Sequence, residues 1–152
     1  MPYIKASRQI KTNRLFIWSL ISDFDCYEAI RPGIKKVNRL NAHTQTSTFQ
    51  FTDLDGRQWN ENLISWNEPY EYTLAVDIAT YPYPLSKLFT TMNVNASENG
   101  STLAITMDYQ VKYGFLGKLL DLVSIKHALN QTITSMLDNS ERLASSETLK
   151  GL

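Results

Sequence analysis

The chain is 152 residues long, 43% hydrophobic and 20% charged, and its 15 basic residues are balanced by 15 acidic ones. That is enough chain for one domain with a substantial core, and the balanced charge excludes a net basic field for nucleic acid or an anionic membrane. The one cysteine, Cys26, excludes an intramolecular disulfide or a thiol metal cluster.

Tyr3 to Ile10 alternates, with Ile4, Ala6 and Ile10 on one side, and reads as a strand. Thr12 or Asn13 can cap a helix whose buried stripe is Ile17, Leu20, Ile21 and Phe24. A short helical turn is expected through Tyr27 to Ile30, stopped by Arg31-Pro32-Gly33. From Ile34 the period shifts towards two. Strands are expected over Ile34 to Leu40, Thr46 to Thr52 and Arg57 to Trp66, the last two joined by the tight turn Asp55-Gly56. Asn67-Glu68-Pro69 turns the chain into a strand carrying Tyr70, Tyr72, Leu74, Val76 and Ile78. The loop Tyr81-Pro82-Tyr83-Pro84 then interrupts the ladder, because proline cannot donate to it. Leu88 to Ala96 and Leu103 to Val111 form the final hairpin across Asn99-Gly100.

Gly114 and Gly117 flank the expected start of a closing helix, which runs from about Leu116 to Leu143. Its stripe continues through Leu122, Ile125, Leu129, Ile133, Met136 and Leu137, for a length of roughly 40 Å at ~1.5 Å per residue. Residues 1–144 are read as one domain and residues 145–152 as a polar tail that frays. The N-terminus lacks the apolar core of a signal peptide, and no run approaches the ~18 apolar residues of a membrane span. A cytoplasmic location is expected by default, and the three Asn-x-Ser/Thr triplets are expected as chance matches. Lys35, Lys36 and Arg39, like Lys112, Lys118 and Lys126, are expected as solvated surface charge.

Cys26 has no Cys-His context, so a small, semi-buried side chain is its expected role. His43 and His127 lack spaced partners, so no metal site is expected. No phosphate loop or nucleophile elbow can be traced, and no cofactor is expected.

One sheet and one long helix must bury each other, and the order of the elements resembles the helix-grip arrangement of the START-like, Bet v 1-like superfamily. The likeness is closest to its polyketide cyclase/dehydrase-type branch. It rests on Ile17-Trp18-Ser19-Leu20-Ile21-Ser22-Asp23-Phe24 followed by Ile30-Arg31-Pro32-Gly33-Ile34, and on Trp59-Asn60-Glu61-Asn62-Leu63 leading to Trp66-Asn67-Glu68-Pro69. Asn99-Gly100-Ser101-Thr102-Leu103 and Gly114-Phe115-Leu116-Gly117-Lys118-Leu119-Leu120 complete it. The resemblance implies an α+β fold in which a seven-stranded curved antiparallel sheet wraps a C-terminal helix, with two short helices after the first strand. It also implies a cavity between sheet and helix. Members include lipid and hormone carriers, quinone-binding proteins and aromatic cyclases, so fold alone does not settle function.

Glu61 is the polar residue of most interest. It shares a strand face with Trp59 and Leu63, and Arg57 lies further along that face. Pointing inward, it would sit in an apolar cavity with a raised pKa and could bond a ligand hydroxyl or carbonyl. Its alternative is an ion pair with Arg57 or Arg39 at the rim. Phe49, Phe51, Trp59, Tyr72 and Tyr109 could face the helix and suit a flat or long apolar guest. Leu63, Leu74, Met92, Met107, Leu129 and Ile133 would complete the wall, and the Tyr81-Pro82-Tyr83-Pro84 loop, with Tyr83, would either gate its mouth or serve as an ordinary rigid crossover. Asp77 and Asp108 fall on the opposite parity, which argues against them as catalysts.

The first reading is a binder or carrier of one small hydrophobic or amphipathic molecule: a lipid, isoprenoid, quinone or polyketide-like aromatic. Nucleic acid and stable membrane insertion are not expected, and the oligomeric state is open. The second is a cyclase or dehydratase using Glu61 and a pocket tyrosine as acid and base. The third is an interaction module using the outer sheet face or the Lys35 to Arg39 patch.

Overall fold

Alternation sets the sheet. In β7, Gly100–Val111, every second side chain from Ser101 to Tyr109 is buried, so one face of the strand meets the core and the other meets water. The same two-residue rhythm runs through β1 (Tyr3–Ile10), β3 (Thr48–Asp53), β5 (Glu71–Val76) and β6 (Leu85–Ser97). With β2 (Ile34–Arg39) and β4 (Gln58–Asn67) they form one antiparallel sheet of seven strands, ordered β1-β7-β6-β5-β4-β3-β2. This computed structural model describes residues 2–41, 47–112 and 124–150, the last four without their side chains.

The final hairpin depends on Gly100. Its φ is +145°, and a Cβ there would lie 2.2 Å from the Ile10 carbonyl oxygen. Only glycine lets β7 turn this close to the end of β1. In β4 the pairing slips between Leu63 and Ser65. Ile64 and Ser65 are both exposed, and Trp66 returns to the inner face, stacked on Tyr72 with ring centroids 5.9 Å apart. A bulge of this kind shifts the parity of every residue beyond it.

Helix α1, Arg14–Ile21, is capped by Asn13, whose side chain accepts from the Phe16 N–H. It buries Ile17, Trp18 and Ile21. The expected turn at Tyr27 starts earlier and is a 3₁₀ turn over Phe24–Ala29. A second 3₁₀ turn, Ile78–Thr80, leads into the Tyr81–Pro84 loop. Helix α2, Lys126–Lys150, packs against β1, β7 and α1. It runs past the expected end at Leu143: Ala144 is fully buried, and nothing in Ser145 to Lys150 breaks a helix. The expected opening of this helix, including Leu116 to Val123, lies outside the described residues, as does His43.

No described helix is long and apolar enough to cross a membrane. Lys35, Lys36 and Arg39 are exposed along the edge strand β2, where charge blunts strand addition. Cys26 is exposed rather than semi-buried. The 3₁₀ turn faces it outward, and the nearby Asp23 carboxylate raises its thiol pKa, which disfavours the thiolate.

Candidate functional site

The site begins with a backbone corner. The N–H groups of Ile30 and Arg31 both donate to the Tyr27 carbonyl, at 3.0 and 3.1 Å, which closes the 3₁₀ turn. From α2, Asn139 donates its Nδ2 to the Ile30 carbonyl at 2.8 Å. Gly33, at φ +78°, then swings the chain into β2, a conformation that favours glycine. Pinned from both sides, Arg31 turns inward.

Its partner is Glu61. Arg31 Nη1 donates to Glu61 Oε2 at 2.7 Å, with side-chain exposures of 7% and 0%. Trp59 Nε1 donates to the same oxygen at 2.8 Å. Glu61 thus points inward on β4 as its parity required, but its counter-charge is neither Arg57 nor Arg39. Arg57 stands in the β3–β4 turn and pairs with Asp53 and Asp55, while Arg39 lies over the Phe49 ring. The other carboxylate oxygen, Oε1, and the Tyr27 hydroxyl are buried without an aligned hydrogen bond. Burial works against the Arg31 charge, but Glu61, Tyr27 and Tyr81 outweigh it and hold the guanidinium pKa above its ordinary value. Burial raises the Tyr27 hydroxyl to about 12 and also raises Tyr81. Both are therefore hydrogen-bond donors at neutral pH.

Beside this cluster opens a half-open cavity of about 180 Å³. One wall is aromatic: Trp59, Tyr81 and Tyr83 meet edge to face, with centroids 5.2 to 5.7 Å apart. Ile34, Leu88, Met107 and Leu129 supply apolar surface, and Arg31, Asp53 and Thr132 the polar groups. Tyr83 is held in place by its hydroxyl, which donates to Asp53 Oδ2 at 2.5 Å, while Arg57 covers its ring. That bond, followed by the Arg57 and Asp55 backbone N–H groups and the Arg57 charge, lowers the Asp53 pKa. A larger groove of about 340 Å³ follows the outer face of α2 at His127 and Asn130, but the described residues lining it are exposed or only half-buried.

The candidate residues separate into two groups. Trp59, Tyr83, Met107 and Leu129 line the cavity, and Glu61 stands behind it, bonded to two of the lining residues. Phe49, Phe51 and Tyr72 are buried and pack instead against Phe24, Tyr27 and Trp18 of the early helical segments. Leu63, Leu74, Met92, Tyr109 and Ile133 are buried core residues outside the lining. Tyr81 lines the cavity with the loop that carries Tyr83, and Arg31 and Asp53 are site residues the alternation did not single out. Asp53 shares parity with Phe49 and Phe51, which was a usable signal. Arg31 follows no strand rhythm and had none.

Among the described residues no cluster of three or more His, Cys, Asp or Glu side chains is placed to hold a metal. Asp77 caps the second 3₁₀ turn through the Ala79 N–H and is spent on structure.

A seven-stranded antiparallel sheet packed on a C-terminal helix, with this cavity between them, is the helix-grip fold. The chain belongs to the family described as polyketide cyclase/dehydrase and lipid transport, whose model matches residues 1–145. No curated protein matches the chain in sequence. The fold is similar to that of a norcoclaurine synthase point mutant from Thalictrum flavum, solved in complex with a transition-state analogue. Identity is 15%, coverage 97% of this chain and 96% of that one, and TM-score 0.73. A START superfamily protein from Mycobacterium smegmatis is similar at 15% identity, coverage of 93% and 98%, and TM-score 0.71. The Zhui aromatase/cyclase from Streptomyces sp. R1128 is similar at 12% identity, coverage of 93% and 94%, and TM-score 0.70. At these identities the likeness is one of fold.

Proposed function

We propose that this protein binds, without covalent chemistry, a compact amphipathic molecule about the size of one ring. The observation that carries the reading is a buried, ion-paired Arg31 lining a largely aromatic and apolar cavity of about 180 Å³. An apolar cavity of about 150 Å³ is enough to hold benzene, so the described volume supports the aromatic end of the range rather than a long acyl chain. Burial of the ring supplies affinity at roughly 25 cal/mol per Å² of apolar area, and Arg31 orients the polar end. Mass spectrometry of natively purified protein tests this. A retained small molecule, lost when Leu129→Trp fills the cavity, is the expected result, and a cavity that no ring-sized probe enters would overturn it.

A second reading is favoured by one feature. The Glu61 Oε1 is buried without an aligned hydrogen bond and the buried Tyr27 hydroxyl stands against Arg31, and a carboxylate with nearby phenols is a proton-transfer set suited to cyclase or dehydratase chemistry. A turnover abolished by both Glu61→Gln and Tyr27→Phe, in protein that still binds its guest, would establish it.

A further inference from the structure

An arginine facing an apolar cavity invites the idea of an anionic guest. The charges around it point the other way. Three buried side chains that carry charge stand at the site: Arg31 at 6%, Asp53 at 5% and Glu61 at 0% exposure. Arg31 is closed by Glu61 at 2.7 Å, and Asp53 by Arg57 at 3.2 Å. A carboxylate guest would give up its hydration and meet no uncompensated cation, a cost that buried charge does not recover. A cationic guest would meet Arg31 on the same wall, where Asp53 is already paired with Arg57.

What remains for a guest is hydrogen bonding. A guanidinium carries five N–H donors; among the described residues Glu61 takes one at 2.7 Å and the Tyr27 hydroxyl stands as a second partner, so the donors outnumber their partners. Tyr81, its hydroxyl protonated, lines the same cavity. Both are donors, and neither needs a charged acceptor.

We infer that the site selects a neutral guest bearing an acceptor oxygen, such as a ketone, ester or amide carbonyl, and rejects the matching carboxylate. Glu61 is the specificity-determining residue: by neutralising Arg31 it turns an anion receptor into a carbonyl receptor. The inference rests on the binding reading above.

The test uses three probes of equal heavy-atom count: acetophenone, benzoate and isopropylbenzene. Dissociation constants are measured by NMR titration at neutral pH. In the native protein acetophenone should bind tightest, and benzoate at least roughly tenfold more weakly, because its charge is uncompensated. Glu61→Gln should reverse the order of those two, since Arg31 then lacks its counter-charge. The native ranking decides the matter even where that variant does not fold. Benzoate binding as tightly as acetophenone to native protein overturns the inference and leaves the cavity reading intact. Failure of all three probes to bind overturns both.

Discussion

The two ends of this sheet use aromatic residues for different purposes. At the end covered by α1 and the first 3₁₀ turn, Phe24 stacks on Phe49 with centroids 4.3 Å apart, and Trp18, Trp66 and Tyr72 meet at 5.1 to 5.9 Å. Tyr72 even spends its hydroxyl on the Ile21 carbonyl, at 2.6 Å. At the other end Trp59, Tyr81 and Tyr83 also touch one another, but on one side they face an open volume that Arg31 also lines. The same residue types make a packed core where helices cover them and a cavity wall where a loop does. Cover by a neighbouring element separates the two, and aromatic content alone does not.

Substitutions can sharpen that contrast. Phe24→Ala should be the most damaging, costing about 3–5 kcal/mol as a large ring leaves a packed core. Chemical denaturation reads the loss, and probe affinity should be nearly unchanged in the folded fraction. Arg31→Met should cost about 3 kcal/mol, because Glu61 is left buried without its counter-charge. The double variant Arg31→Met with Glu61→Leu should recover most of that stability while losing selectivity for a carbonyl guest. A double variant no more stable than the single one would show that the pair is not coupled.

Met107→Ala should cost less, about 2 kcal/mol, because one side of Met107 already borders open volume and the deletion removes less packing. It should enlarge the cavity and favour a bulkier ring, a change calorimetric titration with a substituted acetophenone would read. Tyr83→Phe should have the smallest effect on stability and a visible effect on its pH dependence. Asp53 titrates below its ordinary 3.8 in the folded chain. Its contribution is therefore complete above that value and is lost as pH falls through the lowered one. Removing the Tyr83 hydroxyl should flatten the acid limb of a Tm against pH curve, and an unchanged limb would show that this bond does not hold the loop.

Much of this was legible in the chain. The alternation of Leu103, Ile105, Met107 and Tyr109 gave a strand with the right face inward, and Glu61 inherited its inward parity from Trp59 and Leu63. The Asn99-Gly100 pair marked a hairpin that the approach of Ile10 makes obligatory. Legibility failed where position depends on the far side of the molecule. Arg31 sits in a Pro-Gly stop that reads as a surface turn, and only Asn139 of α2 and the depth of Glu61 make it a buried residue. The division of the aromatics into core and wall was equally hidden, because alternation reports which face a ring takes and not what covers it. Trp66 showed the same limit, since its inward position follows from a bulge at Ile64 that no local pattern announced.

Two methionines report on the contrast directly. Met107 lines the cavity, while Met92 is fully buried beside Tyr72 and Ile105 and lies outside the lining. With ¹³C-methyl methionine, titration with acetophenone should move the Met107 resonance in a saturable way and leave Met92 in place. A shift at Met92 with Met107 unmoved, or saturation without either, would contradict a guest site between the Trp59 wall and α2.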